Sequence, residues 1–96
     1  MSPTNRKRLN LIRIKLDKLD NELLKLIKKR SNLVNEVLKI KIYKKEIIDQ
    51  KRINFILKKI KKKSIQLNID AKITNRIWKN MIWSFIDYEK RNFKRK

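Results

Sequence analysis

"LDKLDNELLKLIKKRSNLVNEVLKIK", residues 16–41, carries apolar side chains at alternating steps of three and four along its whole length. Leu16, Leu19, Leu23, Leu26, then Leu33 with Val34, and Val37 form one stripe, which Ile12 extends toward the N-terminus. That period belongs to an α-helix. A second edge, Leu24, Ile27, Val34 and Leu38, widens the apolar face. One turn beyond Leu26 the stripe lands on Arg30, and one turn beyond Val37 it lands on Lys41. Permanent cations therefore stand where the pattern asks for leucine.

Outward from this stretch the helix is expected to start near Thr4, with Ser2 or Thr4 as N-cap and Pro3 in the first turn, and to end near Ile42. "YKKEI" (43–47) breaks the pattern and reads as a connector. A second helix is predicted from about Ile48 to Lys62, with Ile53, Ile56, Leu57 and Ile60 inward. "KKSIQLN" (62–68) reads as another connector, after which Asp70 or Asn68 caps a third helix. This third helix turns Ile73, Ile77, Trp78, Met81, Ile82, Phe85 and Tyr88 inward and reaches about Arg91. No segment shows strand alternation, so the class is all-α, three helices in one domain spanning residues 1–96. Its core is expected over about 9–90, with a basic tail, 91–96, that frays.

Length constrains the assembly. About 38 residues of helix make a rod of roughly 57 Å, whereas a compact globule of 96 residues is only about 32 Å across. The first helix overhangs any core that one chain can build, and its stripe is apolar throughout. No Gly or Pro lies between residues 4 and 47 to fold it back as a hairpin. The pattern points to a homodimer in which the long helices pack along each other.

Composition removes whole classes of chemistry. The chain has no Gly, Cys or His, so a glycine phosphate loop, a nucleophile elbow, a disulfide framework, a zinc site and a Ser–His triad are all excluded. No metal site is expected. No apolar run reaches the roughly 18 residues of a membrane span, and the basic start lacks the apolar segment of a signal peptide. A cytoplasmic protein is expected. The formal net charge of +20 invites a nucleic-acid reading. Lys outnumbers Arg, however, and is abundant together with Ile and Asn and scattered over all segments, the drift of an AT-rich genome. Such charge also favours fast, salt-sensitive encounter with small anions.

Polar residues on the apolar faces are more informative than the total. Arg30 and Lys41 lie on the first stripe, and Arg13 at its edge, three residues before Leu16. Asp49 and Arg52 occupy successive turns leading into Ile56, and Trp78, Ile82 and Phe85 lead by four, three and four to Glu89. Any one of these is readily explained by a snorkelling side chain or a surface ion pair. Four cations against two acids is another matter, because unpaired buried charge costs several kcal/mol per group. A ligand with two negative groups closes the balance.

These residues carry a family resemblance. Residues 16–41 resemble the first-helix pattern of the all-α chorismate mutases, L-D-x-x-D-x-E-L-L-x-L-I-x-x-R-x-x-L-V-x-E-V-x-x-x-K. "DQKR" (49–52) is similar to the D-x-x-R at the start of their second helix. "IWKNMIWSFIDYE" (77–89) is similar to their third-helix ending, Ile followed by an aromatic, with Gln or Glu eleven residues after it. The resemblance covers about residues 9–90.

It implies an intertwined homodimer of three-helix chains that rearranges chorismate to prephenate, in phenylalanine and tyrosine biosynthesis, without a cofactor. It implies that Arg30, with Arg13 from across the dimer interface, binds the substrate carboxylates, and that Lys41 donates to the ether oxygen. Asp49, with Arg52 beside it, falls at the substrate hydroxyl, and Glu89 faces the ether oxygen. Glu89 helps only when protonated, because a carboxylate repels an oxyanion. There are departures. Ile53 stands where many relatives carry Glu, and Phe85 where a Ser is frequent, with Ser84 one place early. The connector from Lys41 to Asp49 is about one residue shorter than in some relatives. Two alternatives stay open: an isochorismate-pyruvate lyase on the same fold, and a basic helical dimer that binds nucleic acid.

Overall fold

The computed structural model describes residues 1–94, which form three α-helices and one 3₁₀ turn, with no strand among the described residues. Helix α1 runs Pro3–Ile40, α2 Gln50–Gln66 and α3 Ala71–Asn92, and the 3₁₀ turn is Lys44–Glu46. The architecture is all-α, as the patterning requires. Contacts divide the chain into two units, Met1–Leu33 and Val34–Lys96.

The first unit is the greater part of α1. Of the two candidate caps, Ser2 is the one used: its Oγ accepts from the Asn5 N–H at 3.1 Å, and Pro3 takes the first helical position. That position needs no N–H donor, which suits proline. No residue of α1 is buried within the chain. Ile12, Leu16, Leu19, Leu23 and Leu26 are each more than half exposed, so the stripe has no partner inside its own unit.

The second unit contains the core. Ile47, Ile53, Ile82 and Ile86 are buried, and Ile56, Leu57 and Phe93 pack against them. Burying each isoleucine contributes about 1.5–3 kcal/mol. Ile47 comes from the segment expected to be a mere connector. It is placed there by the 3₁₀ turn, with the Ile47 N–H donating to the Lys44 carbonyl at 3.1 Å. The first helix ends at Ile40 and not at Ile42, because the Ile42 N–H is taken by Glu46 Oε2 at 3.0 Å.

The α2–α3 corner differs from the sequence reading for identifiable reasons. Helix α2 starts and ends later than expected, and Ser64, read as connector, is a buried helical residue. Its Oγ donates to the Ile60 carbonyl at 2.6 Å and lies 2.7 Å from Thr74 Oγ1. Thr74 Oγ1 also lies 3.4 Å from the Ala71 carbonyl, so the two hydroxyls tie the ends of both helices together. Asn68 does not cap α3. It takes a left-handed conformation, φ 56°, that terminates α2. The Ile69 N–H returns to the Ser64 carbonyl (2.8 Å) and the Asn68 N–H to that of Ile65 (3.2 Å), the double closure usually made around glycine. A chain without glycine uses asparagine, the next most tolerant residue. Asp70 caps α3, accepting from the Lys72 N–H at 2.9 Å.

On α3, Ile82 is buried as expected, and Trp78, Met81, Phe85 and Tyr88 are half-buried. Thr74 and Ile86 are also buried, whereas Ile73 and Ile77, expected inward, are more than half exposed. The face carrying these two has no partner within the second unit. Fraying from Arg91 is corrected in part: the helix continues through Asn92, and Phe93 packs on the core. Residues 95–96 of that expected tail lie outside the described residues.

Candidate active site

Two polar contacts tie the end of α1 to α3 inside the second unit. Lys41 is held just past the last residue of α1, its N–H still bonded to the Val37 carbonyl at 3.2 Å. Its ammonium donates to both carboxylate oxygens of Glu89, at 3.1 and 3.3 Å. The side chains of this pair are 17 % and 7 % exposed. The other ion pairs described, Lys25–Glu22 and Arg91–Asp87, are both about two-thirds exposed, which makes them weak contributors. The second contact is the Tyr88 hydroxyl, which donates to Asn35 Oδ1 at 2.8 Å.

A carboxylate withdrawn from water to this extent is costly unless paired and hydrogen-bonded. Glu89 receives that compensation from Lys41, and among the described residues no buried side-chain nitrogen or oxygen lacks a partner. The arrangement is a cation and a carboxylate in direct contact and largely withdrawn from water, able to bind and orient a third polar group beside them.

The structure thus brings together Lys41 and Glu89, two residues singled out on separate apolar faces. The other candidates have different settings. Asp49 and Arg52, expected on the inward face of α2, are exposed. Asp49 is the N-cap of α2, its Oδ1 accepting from the Arg52 backbone N–H at 3.0 Å. The Arg52 guanidinium lies over the Phe55 ring, 5.4 Å from its centre. Ser84 is exposed and donates to the Asn80 carbonyl of its own helix at 2.7 Å, while Phe85 is half-buried. Arg13, exposed, and Arg30, half-buried, belong to the first unit. Sequence reasoning passed over the Tyr88–Asn35 bond. The available signal was the adjacency of Tyr88 to Glu89, together with an Asn five residues before the end of α1.

The family model described as chorismate mutase type II matches residues 12–90, which span all three helices. The chain belongs to the type II chorismate mutase family. As a type II chorismate mutase it is an isomerase that converts chorismate to prephenate, and chorismate is its small-molecule substrate. No curated protein and no solved structure matches the chain significantly. No helix among the described residues of this chorismate mutase is long and apolar enough to cross a membrane.

Proposed function

We propose that this type II chorismate mutase acts as an intertwined homodimer whose active site is built around Lys41 and Glu89, with a cytoplasmic role in phenylalanine and tyrosine synthesis. The observation that carries the reading is the buried Lys41–Glu89 pair, formed by two residues that match the family pattern. The rearrangement is intramolecular: the ether C–O bond breaks as a C–C bond forms, with no covalent intermediate and no cofactor. The protein has two tasks. It holds the reactive diaxial conformer, and it stabilises negative charge growing on the ether oxygen.

Lys41 supplies that stabilisation by donating to the ether oxygen, a contact whose loss typically costs about 3 kcal/mol or more. Glu89 faces the same oxygen and helps there only as a hydrogen-bond donor, because a carboxylate repels an oxyanion. Arg30 and the partner subunit's Arg13 clamp the two carboxylates. Asp49 and Arg52 lie toward the hydroxyl end, and Ser84 and Phe85 border the site.

The dimer is supported by the apolar surface that the single chain leaves uncovered. The α1 stripe from Ile12 to Leu26 and the α3 residues Ile73 and Ile77 are all exposed. Packing the long helices of two chains against each other covers the α1 stripe, and in the proposed dimer Arg13 is contributed to the partner's site.

The test is an assay of the purified protein with chorismate and, separately, isochorismate. Prephenate from the first is expected; pyruvate from the second without prephenate from the first would make the chain a lyase.

A further inference from the structure

We infer that Tyr88 and Asn35 are a positioning pair for the reaction, holding Glu89 at a fixed distance from Lys41 while the substrate is bound. The inference rests on the Lys41–Glu89 site proposed above.

Geometry makes the case. Tyr88 directly precedes Glu89 on α3, and Asn35 lies six residues before Lys41 at the end of α1. The two contacts, Tyr88 Oη to Asn35 Oδ1 at 2.8 Å and Lys41 Nζ to Glu89 at 3.1 Å, are one residue apart on α3 and six apart on α1. Six residues of helix span about 9 Å. One level of α3 is therefore held at two well-separated points of the α1 end. A single contact through a four-carbon lysine stem fixes neither the distance nor the angle between helices; two spread contacts fix both.

The pair matters most during turnover. In the free protein Lys41 spends two of its three ammonium donors on Glu89. The third is left for a substrate oxygen, and any movement of Lys41 toward the substrate lengthens its contact with Glu89. The Tyr88–Asn35 bond involves neither reacting group and survives that movement. It keeps the last turns of α3 against α1 while the ion pair lengthens.

Asn35 and Tyr88 are half-buried and also line a cavity of about 380 Å³ with Leu38, Lys39, Asn92 and Phe93. Solvent can satisfy the groups left behind when the bond is removed. Its loss is therefore expected to disturb geometry more than folding. Neither residue touches the reacting atoms; both act through Glu89.

A double-mutant cycle in the full chain tests this. Tyr88→Phe and Asn35→Ala should each lower kcat about 10-fold or more, a misplacement effect, with KM changed less than about threefold. The double variant should be no worse than either single one, as one shared interaction requires. Asn35→Asp, which keeps the acceptor, should restore most of kcat. The proposal is overturned by kcat within twofold of wild type in Tyr88→Phe, by additive losses in the cycle, or by no rescue from Asn35→Asp in protein that folds normally by circular dichroism. Lys41→Met, measured alongside, separates the two levels. If it retains wild-type kcat, the site reading itself fails; if it is inactive while Tyr88→Phe is unaffected, only the positioning role fails.

Discussion

Lys41 and Glu89 face each other across forty-eight residues of chain, ammonium to carboxylate at 3.1 Å, with the glutamate almost sealed from water. In the proposed mechanism Glu89 faces the ether oxygen as a hydrogen-bond donor. Glu89→Gln keeps the shape of the side chain and supplies an amide donor, so it should retain turnover. Glu89→Ala removes the donor and leaves the Lys41 ammonium without its partner, and should lower kcat by about 10-fold or more. Equal kcat in Glu89→Ala and wild type would remove Glu89 from the mechanism.

The uncovered stripe of α1 makes a prediction about mass. Sedimentation equilibrium should give twice the 11.8 kDa of the chain. Leu23→Asp, which places a charge in the centre of the stripe, should yield monomer and lose activity with it, since the proposed site takes Arg13 from the partner chain. A wild-type protein that sediments as a monomer at micromolar concentration and turns over chorismate would contradict the dimer.

Asp49 has one observed role and one proposed role. As N-cap of α2 its side chain is worth about 0.5–2 kcal/mol, and the proposed substrate contact is read out in KM. Asp49→Ser keeps a capping oxygen and removes the charge, whereas Asp49→Ala removes both. The alanine variant should lower the denaturation midpoint and raise KM; the serine variant should raise KM alone. Equal KM in Asp49→Ser and wild type would confine Asp49 to the cap.

The Ser64–Thr74 bond closes the α2–α3 hairpin far from the proposed chemistry. Thr74→Val is close to isosteric and loses one buried hydrogen bond, so unfolding free energy should drop by about 1 kcal/mol. Urea denaturation reads that loss. kcat and KM of the folded protein should be those of wild type, and a kinetic change would mean that the hairpin corner communicates with the site.

What the sequence disclosed, and what it withheld, follows from how local each signal is. The α1 stripe is a repeat carried over the whole helix, and Asp70 before an apolar run is a local cap, so both are legible. Ser64 reads as a linker residue because what makes it helical is Thr74, ten positions away, together with the left-handed turn at Asn68. Nothing in a lone asparagine distinguishes an N-cap from a helix terminator. Periodicity places Asp49 inward, but a residue at the start of a helix also has the option of capping, and here Asp49 caps α2. Ile73 and Ile77 show the deeper limit. Periodicity marks a face as apolar without saying whether this chain or another one covers it. For the site, the inner-face rule picked Lys41 and Glu89 separately, while their pairing and the neighbouring Tyr88–Asn35 bond depend on how α1 and α3 meet.

The central claim is that Lys41, opposite Glu89, carries the charge stabilisation for the rearrangement of chorismate. The most direct measurement is the rate of prephenate formation by wild type and by Lys41→Met at saturating chorismate, with folding of both verified by circular dichroism. The account predicts turnover in the wild type and a loss of about 100-fold or more in kcat for the variant, the scale of a lost oxyanion donor. A Lys41→Met protein that forms prephenate within a few-fold of the wild-type rate would contradict it.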